Sequence, residues 1–187
     1  MHDEAVPHYE DMINNMMKGH EFLLSEFGVK PRMGWHLDPF GHSSANPRLF
    51  ADMGFEAWMF ARLDWADKDK RIIDKSLNYL WRPFSKHFGN QKQILTGAMK
   101  EHYCWPDGFW YDERFPNDDP IVTSKDYTTF NGDLKTKKFT EYVNEYASSY
   151  RGNHILLPFG CDFTYANARM GFENMDRLIS YFNANNN

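Results

Sequence analysis

The sequence predicts an α/β protein with a mostly parallel sheet, because short apolar runs of strand length alternate with longer segments whose apolar residues recur at helical spacing. Two observations carry this. The runs Arg32 to Asp38 (RMGWHLD), Phe55 to Ala61 (FEAWMFA) and His154 to Phe159 (HILLPF) are short and apolar, as buried strands are. Around them lie helical stripes: Met12, Ile13, Met16, Met17, Leu23, Leu24 and Phe27 near the start, and Phe172, Met175, Leu178, Ile179 and Phe182 near the end.

Taken in order, the first helix runs from Tyr9 to a stop at Gly28, a residue free to adopt the left-handed cap. The strand RMGWHLD ends at Pro39 and feeds the loop PFGHSSA. Asn46 is the expected N-cap of a short helix, with Pro47 at the first helical position and Gly54 at the stop. FEAWMFA follows as the next buried strand, completing a strand, helix, strand unit. The charged stretch Asp64 to Lys75 reads as a solvated loop or helix face, and weaker strands are expected around Leu77 to Trp81 and Ile94 to Met99. Residues 101–120 (EHYCWPDGFWYDERFPNDDP) form a long aromatic loop without a period, a type that is usually functional or disordered. Phe139, Tyr142, Val143, Tyr146 and Tyr150 then mark a helix before HILLPF, and the chain closes on the polar tail NANNN.

Composition excludes several classes. The 187 residues are 42% hydrophobic and 25% charged, which suits a globular core. A formal net charge of -5 without a basic stripe excludes nucleic acid as a partner. No apolar run approaches the ~20 residues of a membrane span, and MHDEAVPHYEDM lacks the blocks of a signal peptide. Were Met1 the natural start, a cytosolic protein would be expected. Cys104 and Cys161 have no C-x-x-C spacing, and whether they pair depends on a Cα separation that sequence does not supply.

In parallel α/β architectures the reacting side chains gather beyond the carboxyl ends of strands. Asp38, Arg62 and Asp162 sit at such ends, after GWHL, FEAWMFA and HILLPFGC. Two carboxylates and a guanidinium meeting at one mouth would equip a site for glycoside hydrolysis, one carboxylate attacking the anomeric carbon and the other moving a proton. The competing reading is that an Asp after a strand is a turn or helix-cap residue.

The segment GWHLDPFGHSSANPRLFADMGF resembles the nucleophile segment of glycoside hydrolase family 38, the α-mannosidases, and is most similar to the lysosomal type. MHDEAVPHYEDM resembles the stretch just upstream, FARLDWADK the arginine-bearing strand downstream, and FGCDFTYANARMGFENMDRLI the segment carrying the acid/base aspartate. The resemblance implies that residues 1–187 are an internal portion of the N-terminal catalytic domain, with no second domain and part of a barrel-like (β/α) fold, incomplete here. It also implies that Asp38 is the nucleophile and a zinc ligand, Asp162 the general acid/base, and Arg62, Tyr103 and Phe40 the substrate-binding residues. Phe40 also reads as simple packing under the loop, while His42 and Ser43 read as loop-shaping residues.

The resemblance further implies a zinc cofactor, a mannose-containing oligosaccharide substrate and a lysosomal or secretory location. The family's other zinc ligands, an earlier H-x-D pair and a later histidine, are not among these residues. His36 and Asp38 spell H-x-D and would share a strand face, although a strand histidine is usually packed or solvated. The expected activity is therefore removal of α-linked mannose with retention, within a longer polypeptide whose remainder is a necessary partner. The alternative is a non-catalytic carbohydrate-binding or truncated remnant of the same fold. Glu101 and Asp107 are the next acid/base candidates by position.

Overall fold

A computed structural model describes residues 1–114 and 118–185. Residues 115–117 of the aromatic segment and 186–187 of the polar tail lie outside the described residues. The chain divides into two units, Met1–His102 with Ser149–Arg151 and Tyr103–Ser148 with Gly152–Asn187.

The first unit runs α1 (Tyr9–Phe27), β1 (Met33–Trp35), α2 (Ala45–Asp52), β2 (Ala57–Phe60), α3 (Trp65–Ile73), β3 (Asn78–Trp81), α4 (Ser85–Phe88) and β4 (Ile94–Ala98). Gly28 ends α1 as expected, at φ 66°, its N–H bonded to the carbonyls of Leu23 and Leu24. The strands form an open sheet in the order β1-β2-β4-β3; β1, β2 and β4 are parallel and β3 is antiparallel to β4. The mixed α/β, mostly parallel class is thus what the sequence predicts.

Cross-strand partners share a face, and the two faces differ. Trp58 and Phe60 of β2 and Ile94 and Ala98 of β4 point into a core closed by Phe50 of α2, Phe55 and Leu77. Trp58 and Thr96 are register partners, and the buried indole N–H donates to Thr96 Oγ1 at 2.7 Å. On the opposite face Met33, Trp35, Leu80 and Leu95 are all exposed. Along α1 only Met12 is buried, while Met17, Leu24 and Phe27 of the expected stripe are exposed.

One local expectation is corrected here. The helix expected to start at an Asn46 cap begins at Ala45, and Ser44 at its N-cap makes no side-chain bond. Asn46 is fully buried inside α2, where its Oδ1 accepts from His2 Nε2 at 2.7 Å. A buried amide with a ring donor is engaged in tertiary structure, which overrides the local capping preference.

The second unit holds α5 (Gly132–Ala147) and α6 (Ala168–Asn185) around Trp105, Phe109, Tyr111, Ile121 and Leu178. Here the HILLPF strand is corrected: residues 154–159 carry no strand assignment, and His154 and Leu156 are exposed. An apolar run becomes a strand only beside a ladder partner, and this unit has no strand among its described residues.

Gly34 is where β1 meets the core most tightly, since a Cβ there would lie 3.0 Å from Trp58 Cβ and 3.1 Å from the Phe50 ring. Both neighbours are fully buried and cannot withdraw. Gly34→Ala should therefore destabilise the first unit by about 1–3 kcal/mol, an overpacking cost readable by urea denaturation. An unchanged midpoint would mean that β1 moves away at no cost.

Candidate active site

Asp38 lies beyond the end of β1, but pairing to β2 continues toward it. His36 N–H donates to the Met59 carbonyl at 3.0 Å and Ala61 N–H to the Leu37 carbonyl at 2.9 Å. That continuation places Asp38 and Arg62 at the ends of adjacent parallel strands, where Arg62 Nε donates to Asp38 Oδ1. The Arg62 guanidinium also stands 4.9 Å from the centroid of the exposed Phe40 ring, a cation–π distance. Asp38, Arg62 and Phe40 are thus brought together as three of the five expected site residues. Phe40 is not packed beneath the loop; its ring is 70% exposed.

The loop between them is held from below by Glu4. This carboxylate accepts from His42 Nδ1 at 2.9 Å and from the Ser43 N–H at 3.0 Å, with His36 Nε2 3.3 Å away. His42 Nε2 meets the Arg62 carbonyl at 2.8 Å. Carboxylate and carbonyl are both acceptors, so the imidazolium, which donates from both nitrogens, is the form of His42 that satisfies both contacts. Burial alone would raise the Glu4 carboxyl, yet the contacts from His36, His42 and Ser43 outweigh it and hold it at about 2. Burial would likewise lower His42, and the Glu4 and Arg62 contacts raise it instead. His42 and Ser43 are the loop-shaping residues expected. Glu4 went unnoticed, and no spacing signal could have revealed a partner 38 residues from His42.

Beside this loop lies a cavity of about 650 Å³ lined by Phe40, His42, Arg62, Asp64, Lys68 and His102, among others, a size that suits a small ligand. Lys68 is tied to the Ala61 carbonyl at 2.7 Å, and burial lowers its ammonium below the usual range.

In the second unit, Tyr103 and Asp162 are brought together: the buried Tyr103 hydroxyl donates to Asp162 Oδ1 at 2.9 Å. Asp162 is exposed. Its loop is strained and tied. Phe163 and Tyr165 hold left-handed φ values of 60° and 67°, unusual for bulky side chains. Tyr165 N–H donates to Asp112 Oδ2 at 2.8 Å, Tyr165 hydroxyl to the Phe159 carbonyl at 2.5 Å, and Thr164 Oγ1 to the Cys161 carbonyl at 2.9 Å. Cys104 and Cys161 form a disulfide. Buried Asp112 is a second supporting residue that sequence reasoning missed. Asp38 and Asp162 belong to different units, and Glu101 and Asp107 are both exposed.

The donor set for zinc is incomplete. Among the described residues no group of three His, Cys, Asp or Glu side chains is disposed to hold a metal ion. His36 packs against Phe50 and Trp58 and faces Glu4, so the local H-x-D reading finds no support. One carboxylate already engaged by Arg62 does not make a zinc centre.

The Glu4 cluster has a pH signature. A depressed Glu4 contributes stability above its ordinary pKa of 4.5 that is lost as pH falls through about 2. A raised His42 contributes stability below its ordinary 6.5 that is lost as pH climbs through its folded value. His2, lowered by burial, opposes this on the acid side. The pair is therefore fully stabilising between about pH 4.5 and 6.5. Glu4→Gln should cost about 1–3 kcal/mol near pH 5.5 and less near pH 9, as read by denaturation at each pH. An equal loss at both would show that His42 is not charged.

Residues 1–187 match the family described as glycosyl hydrolases family 38 N-terminal domain. The chain is similar to a lysosomal alpha-mannosidase of Dictyostelium discoideum, with 42% identity over 99% of this chain and 18% of that protein. It is also similar to an alpha-mannosidase of Canavalia ensiformis, at 39% over 98% of this chain and 19% of the relative, and to a lysosomal alpha-mannosidase of Felis catus, at 36% over 98% and 18%. It thus spans less than a fifth of the length of these relatives. With its whole length matched in this way, the chain belongs to the glycosyl hydrolases family 38 N-terminal domain.

Proposed function

We propose that this chain forms part of a retaining α-mannosidase that removes α-linked mannose from oligosaccharides, with Asp38 as nucleophile and Asp162 as acid/base. The observation that carries the proposal is Asp38, gripped by Arg62 at the mouth of two parallel strands beside a sugar-sized cavity. The relatives are named alpha-mannosidases, which supplies the substrate class. Closure of the sheet into a barrel-like domain would add strands from outside these residues.

In the first step a carboxylate oxygen of Asp38 attacks the anomeric carbon while the glycosidic bond breaks, and the departing oxygen takes the proton of Asp162. Arg62 orients Asp38, and Phe40 offers a ring face to the sugar. In the second step Asp162, now a carboxylate, takes a proton from water, which attacks the same carbon and releases Asp38. The Tyr103 bond occupies Asp162 Oδ1 and leaves Oδ2 for the proton. Asp38 is the zinc ligand this chain would contribute, the others coming from polypeptide outside it; the steps assigned to Asp38 and Asp162 do not pass through the metal. A lysosomal or secretory location is supported by the relatives named lysosomal and by the disulfide, which persists in oxidising compartments. The alternative, a carbohydrate-binding remnant, draws support only from the incomplete metal donor set.

The isolated 187-residue chain should show no appreciable turnover of an aryl α-mannoside and no stoichiometric zinc by elemental analysis. Robust turnover with about one zinc per chain would overturn the incomplete-site reading. In the longer polypeptide, Asp162→Ala should lower kcat/KM for poor leaving groups by about 10²–10⁴-fold and for good ones far less, while the glycosyl-enzyme accumulates and azide restores its turnover. Asp38→Ala should abolish activity on every leaving group, with no azide rescue through a glycosyl-enzyme. Loss of equal size on all substrates for the Asp162 variant would move the acid/base role elsewhere.

A further inference from the structure

Asp162 poses a positioning problem. A proton donor must reach the leaving oxygen, so its carboxyl has to stay open, and it is exposed here. An exposed group cannot be fixed by burial, and no strand runs through residues 154–162 to fix it by a ladder. The Tyr103 hydrogen bond to Asp162 spans 59 residues, and one such bond contributes only about 0.5–1.5 kcal/mol net. That is too little to immobilise two loops, yet an error of about 1 Å in a reacting group can cost 10²-fold in rate.

The covalent connectivity answers the problem. Cys104 directly follows Tyr103, Cys161 directly precedes Asp162, and the two cysteines are bonded with their Cα atoms 4.2 Å apart. Each partner of the hydrogen bond is therefore one residue from the cross-link. On the far side, Trp105 is buried in the core against Phe159 and Tyr165, so the Tyr103 arm is anchored. Thr164 bonds back to Cys161, and Asp112 and Phe159 hold Tyr165, so the Asp162 arm is anchored as well.

We propose that the Cys104–Cys161 disulfide is a positioning device for proton transfer, holding Tyr103 and Asp162 in register so that an exposed carboxyl keeps one orientation. This rests on the acid/base reading of Asp162. It makes the rate of one chemical step, and not merely the stability of the fold, depend on the oxidation state of two cysteines. A dithiol reductant would deliver two electrons and two protons, breaking the S–S bond to give two thiols while it is itself oxidised to a disulfide.

Two measurements test the proposal. In the longer, active polypeptide, Cys104→Ser with Cys161→Ser should lower kcat/KM for aryl α-mannosides with poor leaving groups by about 10–100-fold, a fraction of the full general-acid contribution, and leave kcat/KM for a dinitrophenyl α-mannoside within a few-fold of the parent. Dithiothreitol should reproduce that selective loss in the parent and add nothing in the double variant. Equal loss on all leaving groups, or none, would overturn the proposal. The second measurement needs no activity: in the 187-residue chain, Tyr103→Phe should lower Tm with the disulfide present and leave Tm unchanged without it. Additive shifts would show that the cross-link does not hold the bond. A wild-type polypeptide that cleaves no mannoside while this coupling persists would sink the mannosidase reading and the proton-transfer role with it, leaving the disulfide only as a holder of the Tyr103–Asp162 bond.

Discussion

Burying the Trp58 indole is the constraint on which the first unit depends. An indole N–H taken into a core needs an acceptor, and the acceptor here is a threonine on the neighbouring strand. That bond pins β2 against β4 in one register, and a slip of one residue would turn every core side chain to the open face. The ring then becomes the wall against which Phe50, Phe60, His36, His42 and Trp81 all pack. Because His42 is one of these neighbours, the loop beside Asp38 inherits its position from the core.

The two candidate reacting carboxylates are supported by different physical means. Asp38 is carried by extended ladder pairing, an ion pair with Arg62 and a buried acid–imidazolium contact under its loop. Asp162 is carried by a cross-link, a phenol hydrogen bond and a strained turn. The difference follows from local architecture. A sheet provides backbone precision at no covalent cost, while a helical unit with no strand among its described residues must obtain it from side chains.

Much of this was legible in the sequence because it is periodic or local. The α1 stripe with its Gly28 stop, the order of β1, β2, β3 and β4, and the position of Asp38 after a short strand follow from patterns spanning a few residues. What was not legible depends on distant partners. HILLPF has the composition of a strand and no strand of its unit beside it among the described residues. Asn46 looks like a cap until His2 approaches it. Glu4, Asp112 and the cysteine pair acquire their roles only when residues 38 to 57 positions away are brought alongside. The family motifs located the candidate site residues, whereas the groups that hold them in place are invisible to a reading of motifs.

The left-handed turn after Asp162 bears on how this protein could be improved or could drift. Phe163 and Tyr165 occupy backbone conformations that glycine or asparagine would adopt at less cost, but only the exposed Phe163 can be replaced without loss of packing, since Tyr165 lies against Trp105 and Phe172. Selection for robustness alone would find position 163 early. Tyr165 also reaches both Asp112 and the Phe159 carbonyl, and replacing it would release the backbone next to Asp162. The turn thus holds one position where strain can be relieved with the neighbouring contacts intact and one where relieving it removes the contacts that fix the backbone beside Asp162.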